Sequence, residues 1–122
     1  MIGIDLIKTS RMNRLIERFG DKALSKFLNK DEIELIKNHK TAAGFWAAKE
    51  ACSKALGVGI GSACNFHDIY ISKTDKGAPI LNLSAKVIDR FYIIDTSLSI
   101  THDGEYAIAV VVLQSSTTNK VK

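Results

Sequence analysis

The sequence predicts a single α+β domain in which an antiparallel sheet packs around a long, alanine-rich central helix. Two observations favour this class. Helical patterns occupy most of the first half of the chain and hairpin patterns follow in the second half, which is typical of α+β folds. Residues 42–56 also contain six alanines, and such small side chains let neighbouring backbones approach a helix closely.

Length and composition agree with one domain. A chain of 122 residues suits one hydrophobic core, and we expect the domain at 1–114 and a polar tail at 115–122. The hydrophobic share of 46% and charged share of 25% are typical of a soluble globular protein. No apolar run approaches the roughly 20 residues that cross a bilayer, and the start of the chain does not resemble a signal peptide. A cytoplasmic location without a membrane partner is therefore expected.

The N-terminal residues predict a strand and then a helix. Residues 2–7 are apolar except for Asp5, which indicates a short strand with one unexplained acid. Thr9 or Ser10 is placed to cap a helix over residues 11–19. One face of that helix is apolar, and arginines recur on another at i, i+3 and i+7. These are Arg11, Arg14 and Arg18.

Two short helices and the central helix follow. The short helices are predicted over residues 22–28 and from Asn29 onward, with Glu32 mostly on the exposed side of the second. The central helix over 42–56 is expected to be capped by Thr41.

The second half of the chain predicts strands. Residues 67–73 and 79–83 flank an Asp-Lys-Gly turn, which is typical of a β-hairpin. A short helix capped by Ser84 separates this hairpin from two more strands at 97–102 and 106–113. The last is nearly all apolar, which predicts a buried central strand.

The central helix carries polar residues that its composition does not explain. Glu50, Ser53 and Lys54 lie at i, i+3 and i+4, so they share one face. A Glu four residues before a Lys is also an ordinary helix-stabilising pair worth about 0.2–0.5 kcal/mol. Burying charge in an otherwise apolar helix is costly without a partner or a purpose, so a functional interpretation stands beside the structural one.

Two neighbouring features bear on that choice. The glycine-rich loop of Gly57, Gly59 and Gly61 could bring backbone N–H groups close to phosphates, although plain turns show the same pattern. Asp5 and Glu50, if the fold joins them, would make a hard-oxygen site suited to Mg²⁺. Such a site leaves positions for water and for phosphate oxygens.

The net charge of +4 lies in one segment. Residues 8–40 carry nine basic and five acidic residues, whereas the rest of the chain carries eight of each. This indicates a basic surface for an acidic protein, a nucleic acid or a phosphate ligand. A solvated helix face explains the same charges equally well.

Four segments in order along the chain form a recognisable series. They are residues 2–6 followed by Arg11, residues 45–57, residues 76–79, and residues 99–103 followed by Ala107. Together they resemble the motifs of the holo-acyl-carrier-protein synthases, the short bacterial phosphopantetheinyl transferases. The matches extend to about residue 112, and the stretch from Lys49 to Ala55 is the most specific.

The resemblance implies the 4′-phosphopantetheinyl transferase fold and its reaction. In that reaction the 4′-phosphopantetheine group of coenzyme A passes to a serine of an apo-acyl carrier protein for fatty acid biosynthesis, and adenosine 3′,5′-bisphosphate leaves. The carrier supplies the nucleophile, which agrees with the lack of a GxSxG or Cys–His arrangement here. The family also implies a homotrimer with active sites between subunits.

Site residues are implied position by position. Asp5 and Glu50 match ligands of Mg²⁺, with Mn²⁺ as a substitute, and Glu50 or a water would accept the serine proton. Lys54 matches the lysine that contacts the phosphates, and Lys49 serves either structure or a neighbouring subunit. Coenzyme A contacts are further implied for Gly57, Gly59, Gly61, Pro79, Thr101 and His102. Docking of the acidic carrier is implied for Arg11, Arg14 and Arg18.

Some of these assignments have open alternatives. His102 fits a hydrogen-bonded residue at a strand end as well as a nucleotide contact. Phe45 departs from the family, since many members have an arginine there, and Lys40 or His39 is the candidate to replace its phosphate contact. The rival hypothesis for the whole chain is a non-catalytic basic module for an acidic protein or nucleic acid, suggested by a pI near 9.1. That rival lacks the interleaved aromatics of a nucleic-acid platform, so no nucleic-acid partner is expected.

Overall fold

The computed structural model describes residues 1–116, and residues 117–122, most of the predicted tail, lie outside the described residues. The elements run in the order β1 (Ile2–Lys8), α1 (Thr9–Phe19), α2 (Asp21–Phe27), α3 (Lys30–Ile33), α4 (His39–Ala55), β2 (Ile69–Lys73), β3 (Pro79–Leu83), α5 (Ala85–Phe91), β4 (Ile93–Asp103) and β5 (Tyr106–Ser115). A 3₁₀ turn at Phe66–Asp68 precedes β2. Among residues 1–116, no helix combines the length and the apolar content that crossing a membrane requires. The α+β prediction is confirmed.

The main sheet is antiparallel in the order β1-β5-β4, with β5 in the centre as predicted. Asp5 of β1 pairs with Ala109 of β5, which in turn pairs with Ile100 of β4. Because side chains alternate between the two faces of a strand, β5 turns one set of residues towards the core. These buried residues are Ala107, Ala109, Val111 and Leu113.

Helix α4 packs on that face and crosses it from β4 to β1. Near its N-terminus, a Cβ added to Gly44 would lie 3.0 Å from Cγ2 of Ile100. Towards its C-terminus, a Cβ on Gly3 of β1 would collide with the carbonyl group of Ala51. The prediction of a central helix with close backbone neighbours is therefore confirmed, because only small residues permit this approach.

The hairpin of β2 and β3 forms a separate two-stranded sheet. Ile71 and Leu81 pair across it and are both buried. The hydroxyl of Thr96 in β4 donates a hydrogen bond of 2.6 Å to the carbonyl of Leu81. This contact joins the hairpin to the main sheet.

Two predicted helix starts are wrong. Thr9 and Ser10 lie inside α1 rather than capping it, and the N–H of Thr9 donates to the carbonyl of Glu105 at 2.7 Å. Thr41 lies inside α4, where the side chain of Asn38 instead accepts from the N–H groups of Lys40 and Thr41. At the start of α1, the carbonyl of Glu105, in the turn between β4 and β5, replaces a local side-chain cap. At the start of α4, the cap is Asn38, so the helix begins before Thr41.

Glu32 was predicted to be mostly exposed, and this too is wrong. Its carboxylate is buried and lies 2.7 Å from Nζ of Lys49, itself buried in α4. The lysine also donates to the carbonyls of Phe27 and Phe66, at 2.7 and 3.0 Å. The backbone N–H of Ile71 donates to the second oxygen of Glu32 at 2.8 Å. Lys49 therefore serves the structure, by tying α4 to α2, α3 and β2.

Candidate active site

Asp5, Glu50 and Lys54 come together where α4 passes over β1. Asp5 lies on the face of β1 that meets the helix, which explains an acid within an apolar strand. Nζ of Lys54 is 2.8 Å from Oδ1 of Asp5 and donates to the carbonyl of Ile4 at 3.3 Å. The hydrogen bond to Asp5 raises the pKa of Lys54. The lysine side chain is 53% exposed, so water screens this pair and it contributes at most about 1 kcal/mol.

Of these three residues, Glu50 has the least favourable surroundings for its charge. Burial raises its pKa, and the negative charge of Asp5 raises it further, whereas Lys54 and Arg11 oppose the rise. The two carboxylates therefore lie close enough to repel each other, which the sequence could not show. A divalent cation held between them would relieve that repulsion.

The donor set also suits Mg²⁺. Within residues 1–116, no group of three or more His, Cys, Asp or Glu side chains converges on one point. The chain therefore offers two carboxylates here rather than a closed cage of protein ligands. Mg²⁺ is usually bound by one or two carboxylates, with water and substrate phosphates in the remaining positions.

The glycine loop folds back on the C-terminal end of α4. Gly57 and Gly59 have φ of 79° and 69°, the left-handed region that favours glycine. The N–H groups of Val58 and Gly59 both donate to the carbonyl of Ser53, and that of Gly61 donates to Cys64. These N–H groups already have partners in this state, so the loop is a turn next to Lys54, and its contact with coenzyme A stays a prediction.

A second group of predicted residues lines a cavity of about 230 Å³ at the other end of α4. Its walls include Gly44, Phe45, Lys73, Pro79, Ile100 and His102. Nε2 of His102 lies 2.9 Å from the carbonyl oxygen of Lys40. Because a carbonyl only accepts, Nε2 is the nitrogen that donates. His102 is thus hydrogen-bonded at a strand end and also faces a cavity, so both of its predicted roles remain compatible with the structure.

Thr101 does not join His102 in this cavity. Successive residues of a strand point to opposite faces, and Thr101 pairs with Ile108 on the side of the sheet away from α4. Its hydroxyl is therefore exposed on the outer face. A contact between Thr101 and coenzyme A would require the ligand to reach that face.

The two groups of site residues are well separated within one chain. Gly44 lines the cavity, and Glu50 and Lys54 follow it by six and ten residues on α4, which is about 9 and 15 Å along a helix axis. Six residues also turn a helix by about 240°, so Glu50 and the cavity lie on different sides of α4. A pyrophosphate and the 3′-phosphate of the same nucleotide are only a few bonds apart. The cavity and the carboxylates of one chain are therefore badly placed to hold one coenzyme A molecule between them.

A groove between α1, α2 and α4 adds residues that sequence reasoning missed. It encloses about 350 Å³, with Phe19 and Trp46 in its apolar lining and Arg11, Lys22 and Lys26 among its basic residues. The two lysines lie at i and i+4 on α2, so the spacing rule used for the arginines of α1 would have found them. Arg11 links this groove to the carboxylates, since its charge acts on Glu50.

The other two arginines lie outside this groove. Arg14 and Arg18 are exposed on α1 and are absent from the groove lining. The guanidinium of Arg18 lies 5.1 Å from the ring centroid of Phe19. The structure therefore places only Arg11 of the three predicted docking arginines beside both the groove and the carboxylates.

Comparison with known proteins agrees with this fold. Residues 1–111 match the family described as the 4′-phosphopantetheinyl transferase superfamily. This covers almost the whole of the described chain, including both groups of site residues. The chain belongs to that superfamily.

Individual relatives are similar to the chain in sequence and in structure. The chain is 67% identical over 121 residues to the holo-acyl-carrier-protein synthase of Sulfurimonas denitrificans, covering 99% of this chain and 100% of that protein. The crystal structure of the Helicobacter pylori holo-acyl-carrier-protein synthase in complex with coenzyme A is 49% identical, with a TM-score of 0.91 over 93% of this chain and 100% of that one. A Bacillus anthracis synthase in complex with CoA (3′,5′-ADP), 38% identical, has a TM-score of 0.79 over 94% and 96% of the two chains.

Proposed function

We propose that this chain transfers the 4′-phosphopantetheine group from coenzyme A to a serine of an apo-acyl carrier protein, releasing adenosine 3′,5′-bisphosphate. The observation that carries the proposal is the meeting of Asp5, Glu50 and Lys54 in a chain 67% identical to a holo-acyl-carrier-protein synthase. Nothing among the described residues favours the rival hypothesis of a non-catalytic basic module. Fatty acid biosynthesis is the pathway this activity serves.

Asp5 and Glu50 would hold a Mg²⁺ ion, with Mn²⁺ as a substitute. Their mutual repulsion supports this assignment. The ion, when bound, neutralises charge on the pyrophosphate oxygens. Lys54 binds Oδ1 of Asp5, so the second oxygen of this carboxylate would remain for the ion.

The reaction joins the serine oxygen of the carrier to the β-phosphorus of coenzyme A. The bond from that phosphorus to the oxygen bridging to the leaving bisphosphate breaks, and the bisphosphate takes the electron pair. Lys54, whose ammonium group has donors to spare beside its bond to Asp5, would bring its positive charge close to the phosphate oxygens. Phosphoryl transfer depends mainly on such positioning and charge stabilisation.

The serine proton passes to Glu50 or to a water. Burial and Asp5 raise the pKa of Glu50 in the metal-free chain, and a bound cation would lower it again, so Glu50 would be ionised and able to accept a proton in the loaded site. Glu50 is deprotonated in the form that accepts the proton.

The carrier would dock on the basic surface of α1, with Arg11, Arg14 and Arg18 as its predicted contacts. Support comes from the groove beside α1, where basic residues flank an apolar floor of Phe19 and Trp46. An acidic carrier helix with apolar side chains complements such a surface. Arg11 lies beside Glu50 as well, so a carrier bound there would bring its serine close to the carboxylates.

A homotrimer with shared active sites completes the proposal. Ile2, Ile4 and Leu6 point away from α4 and are 70, 60 and 56% exposed. They pair with Val112, Val110 and Ile108 of β5, which extends the apolar patch across two strands. Large exposed apolar patches mark interaction surfaces. Because β1 is an edge strand of the sheet, a neighbouring subunit that covers this face could also reach round that edge and bring its cavity to the carboxylates on the inner face.

The test is a transfer assay. The protein is incubated with coenzyme A, an apo-acyl carrier protein, and Mg²⁺ or Mn²⁺, and the carrier is weighed by mass spectrometry. One added phosphopantetheinyl group is expected, and chelation of the metal should abolish the shift. An unchanged mass with every carrier and both metals would refute the proposed activity.

A further inference from the structure

We propose that Lys86 and Asp68 form a latch that positions the glycine loop beside Lys54 and thereby strengthens the binding of coenzyme A. The glycine loop is residues 57–63, between the end of α4 and the buried Cys64. Lys86 lies in the first turn of α5, and Asp68 ends the 3₁₀ turn before β2. Neither residue was expected from the sequence to serve the site. Both are positioning residues, and the inference rests on the proposed function.

The first half of the glycine loop is fixed by the end of α4. The N–H of Gly57 donates to the carbonyl of Lys54 at 3.0 Å. Those of Val58 and Gly59 donate to the carbonyl of Ser53, at 3.3 and 3.2 Å. These bonds engage carbonyl groups that the last turn of a helix leaves without partners. The conformation of the loop is therefore linked to the turn of α4 that carries Lys54.

The second half of the loop is held from α5. Within residues 1–116, the only side-chain hydrogen bond to the glycine loop comes from Nζ of Lys86, which donates to the carbonyl of Ser62 at 3.2 Å. Ser62 itself is exposed, and the N–H of its neighbour Gly61 donates to the carbonyl of Cys64 at 3.0 Å. Because glycine-rich backbone has more conformational freedom to lose than other backbone, this half of the loop depends on Lys86 for a fixed position.

Asp68 determines where the amine of Lys86 lies. Oδ2 of Asp68 is 2.8 Å from Nζ of Lys86 and accepts from the backbone N–H of Asn65 at 3.0 Å. Oδ1 accepts from the hydroxyl of Ser84, the N-cap of α5, at 2.9 Å. Burial of Asp68 raises its pKa, but the hydrogen bonds to this carboxylate outweigh that effect and leave the pKa below its ordinary value. Asp68 is therefore ionised at neutral pH, and it holds the lysine between α5 and the loop.

The latch acts on coenzyme A because the loop adjoins the residue proposed to contact the phosphates. A loop that samples several conformations binds a ligand only in the fraction of molecules where it is correctly placed, and the apparent affinity falls by that fraction. Saturating coenzyme A selects the ordered loop by itself. The carboxylates of Asp5 and Glu50 lie outside the loop. Loss of the latch should therefore raise the KM for coenzyme A and change kcat little.

The experiment removes the latch and measures coenzyme A in the transfer assay. Lys86→Met should raise the KM for coenzyme A about fivefold, the upper range for an ion pair whose lysine is 50% exposed. The loop is loosened rather than released, since Ile60 still packs against the core. The kcat and the KM for the carrier should change by less than about twofold. Lys86→Arg should keep the wild-type KM, because a guanidinium can donate to both Asp68 and the loop.

Arg90→Met is the matched control, because it removes a positive charge from the same helix. The guanidinium of Arg90 lies 5.6 Å from the ring centroid of Phe91 rather than at the loop, so this variant should behave as the wild type. Lys86→Gln replaces the Met variant if circular dichroism shows that the latter is unfolded. An unchanged KM for coenzyme A without Lys86, or an equal effect of Arg90→Met, would overturn the inference.

A double variant tests whether the two residues act as one unit. Asp68→Asn should raise the KM for coenzyme A at least as much as Lys86→Met, since it disturbs the same contact. The combination of Asp68→Asn and Lys86→Met should then be no worse than Asp68→Asn alone, because residues that share one interaction are not additive. Additive effects would show that Asp68 and Lys86 act separately, and the latch would be refuted.

Hydrogen exchange and calorimetry separate this inference from the proposed function, because neither needs transfer. In Lys86→Met, the amides of residues 58–61 should exchange several times faster than in the wild type, whereas those of β5 should be unchanged. Coenzyme A should bind the variant about fivefold more weakly. If no carrier is modified but both changes are seen, the proposed activity falls and the latch stands. Whether or not transfer succeeds, a wild-type exchange rate in the loop, or faster exchange with unchanged affinity, refutes the latch.

Discussion

The buried pair of Lys49 and Glu32 allows one prediction to be worked through. Replacing Lys49 by Met keeps much of the side-chain volume but leaves a carboxylate buried without its cation. Breaking a buried ion pair from one side costs about 3–5 kcal/mol. Here the backbone N–H groups of Asn29 and Ile71 still donate to Glu32, which places the expected loss near the lower end, at about 3 kcal/mol.

The assay is urea unfolding followed by circular dichroism, at a fixed protomer concentration. In a thermal melt at the same concentration, the loss should lower the Tm by roughly 10 °C for a domain of this size. Adding Glu32→Gln to Lys49→Met should recover part of the stability, because the stranded charge is removed while a side-chain oxygen remains for Asn29. A loss below about 1 kcal/mol, or a double variant less stable than Lys49→Met alone, would show that the buried charge is not the main cost. Folded Lys49→Met should keep its turnover, since the lysine serves the structure.

Four further predictions concern the site, the packing of α4 on β1 and the assembly. Asp5→Asn and Glu50→Gln should each lower turnover by a factor of about 10² or more with an unchanged circular dichroism spectrum. Each variant should also lose the rise in Tm that Mg²⁺ gives the wild type. Wild-type rates in both variants would refute the proposed metal site. Because the pKa of Glu50 is raised above its ordinary 4.5 on folding, the folded chain keeps that proton to higher pH than the unfolded chain, so this group lowers stability as the pH rises through that window. Glu50→Gln should therefore have a higher Tm than the metal-free wild type at neutral pH but not at pH values below the unfolded pKa, and a lower Tm at neutral pH would contradict the sign. Gly3→Ala should lower the free energy of unfolding by about 3 kcal/mol or more, since its methyl group would overlap the carbonyl of Ala51. The control is Gly61→Ala, whose methyl group meets open space and which should melt at nearly the wild-type temperature. Ile4→Lys should dissociate the proposed trimer in sedimentation velocity and abolish transfer. An unchanged sedimentation coefficient would exclude the outer sheet face as the interface.

Local sequence patterns were enough to predict much of the fold. A nearly continuous apolar run predicted β5 as the buried strand, and the Asp-Lys-Gly turn predicted the hairpin of β2 and β3. The alanine content predicted a helix that neighbouring backbones can approach, and Gly3 and Gly44 are the positions where they do. Each of these inferences uses residues a few positions apart, where periodicity and backbone preference act directly.

The same patterns selected the candidate residues but not their arrangement. Spacing on α4 indicated that Glu50 and Lys54 share a face, and the apolar surroundings of Asp5 marked it as unusual. That Asp5 meets them depends on contacts between residues 49 positions apart. The pairing of Lys49 with Glu32 likewise joins residues 17 apart, and it reversed the expected exposure of Glu32.

The sequence by itself therefore determined the fold class, the order of most elements and the identity of Asp5, Glu50 and Lys54 as the candidate residues. Only the tertiary structure decided which charges are partners, where α1 and α4 begin, and that His102 and Lys73 share a cavity about 15 Å along α4 from Lys54. The physical reason is that burial and electrostatic interaction depend on distance in space, and distance in space between remote residues is set by packing rather than by local pattern.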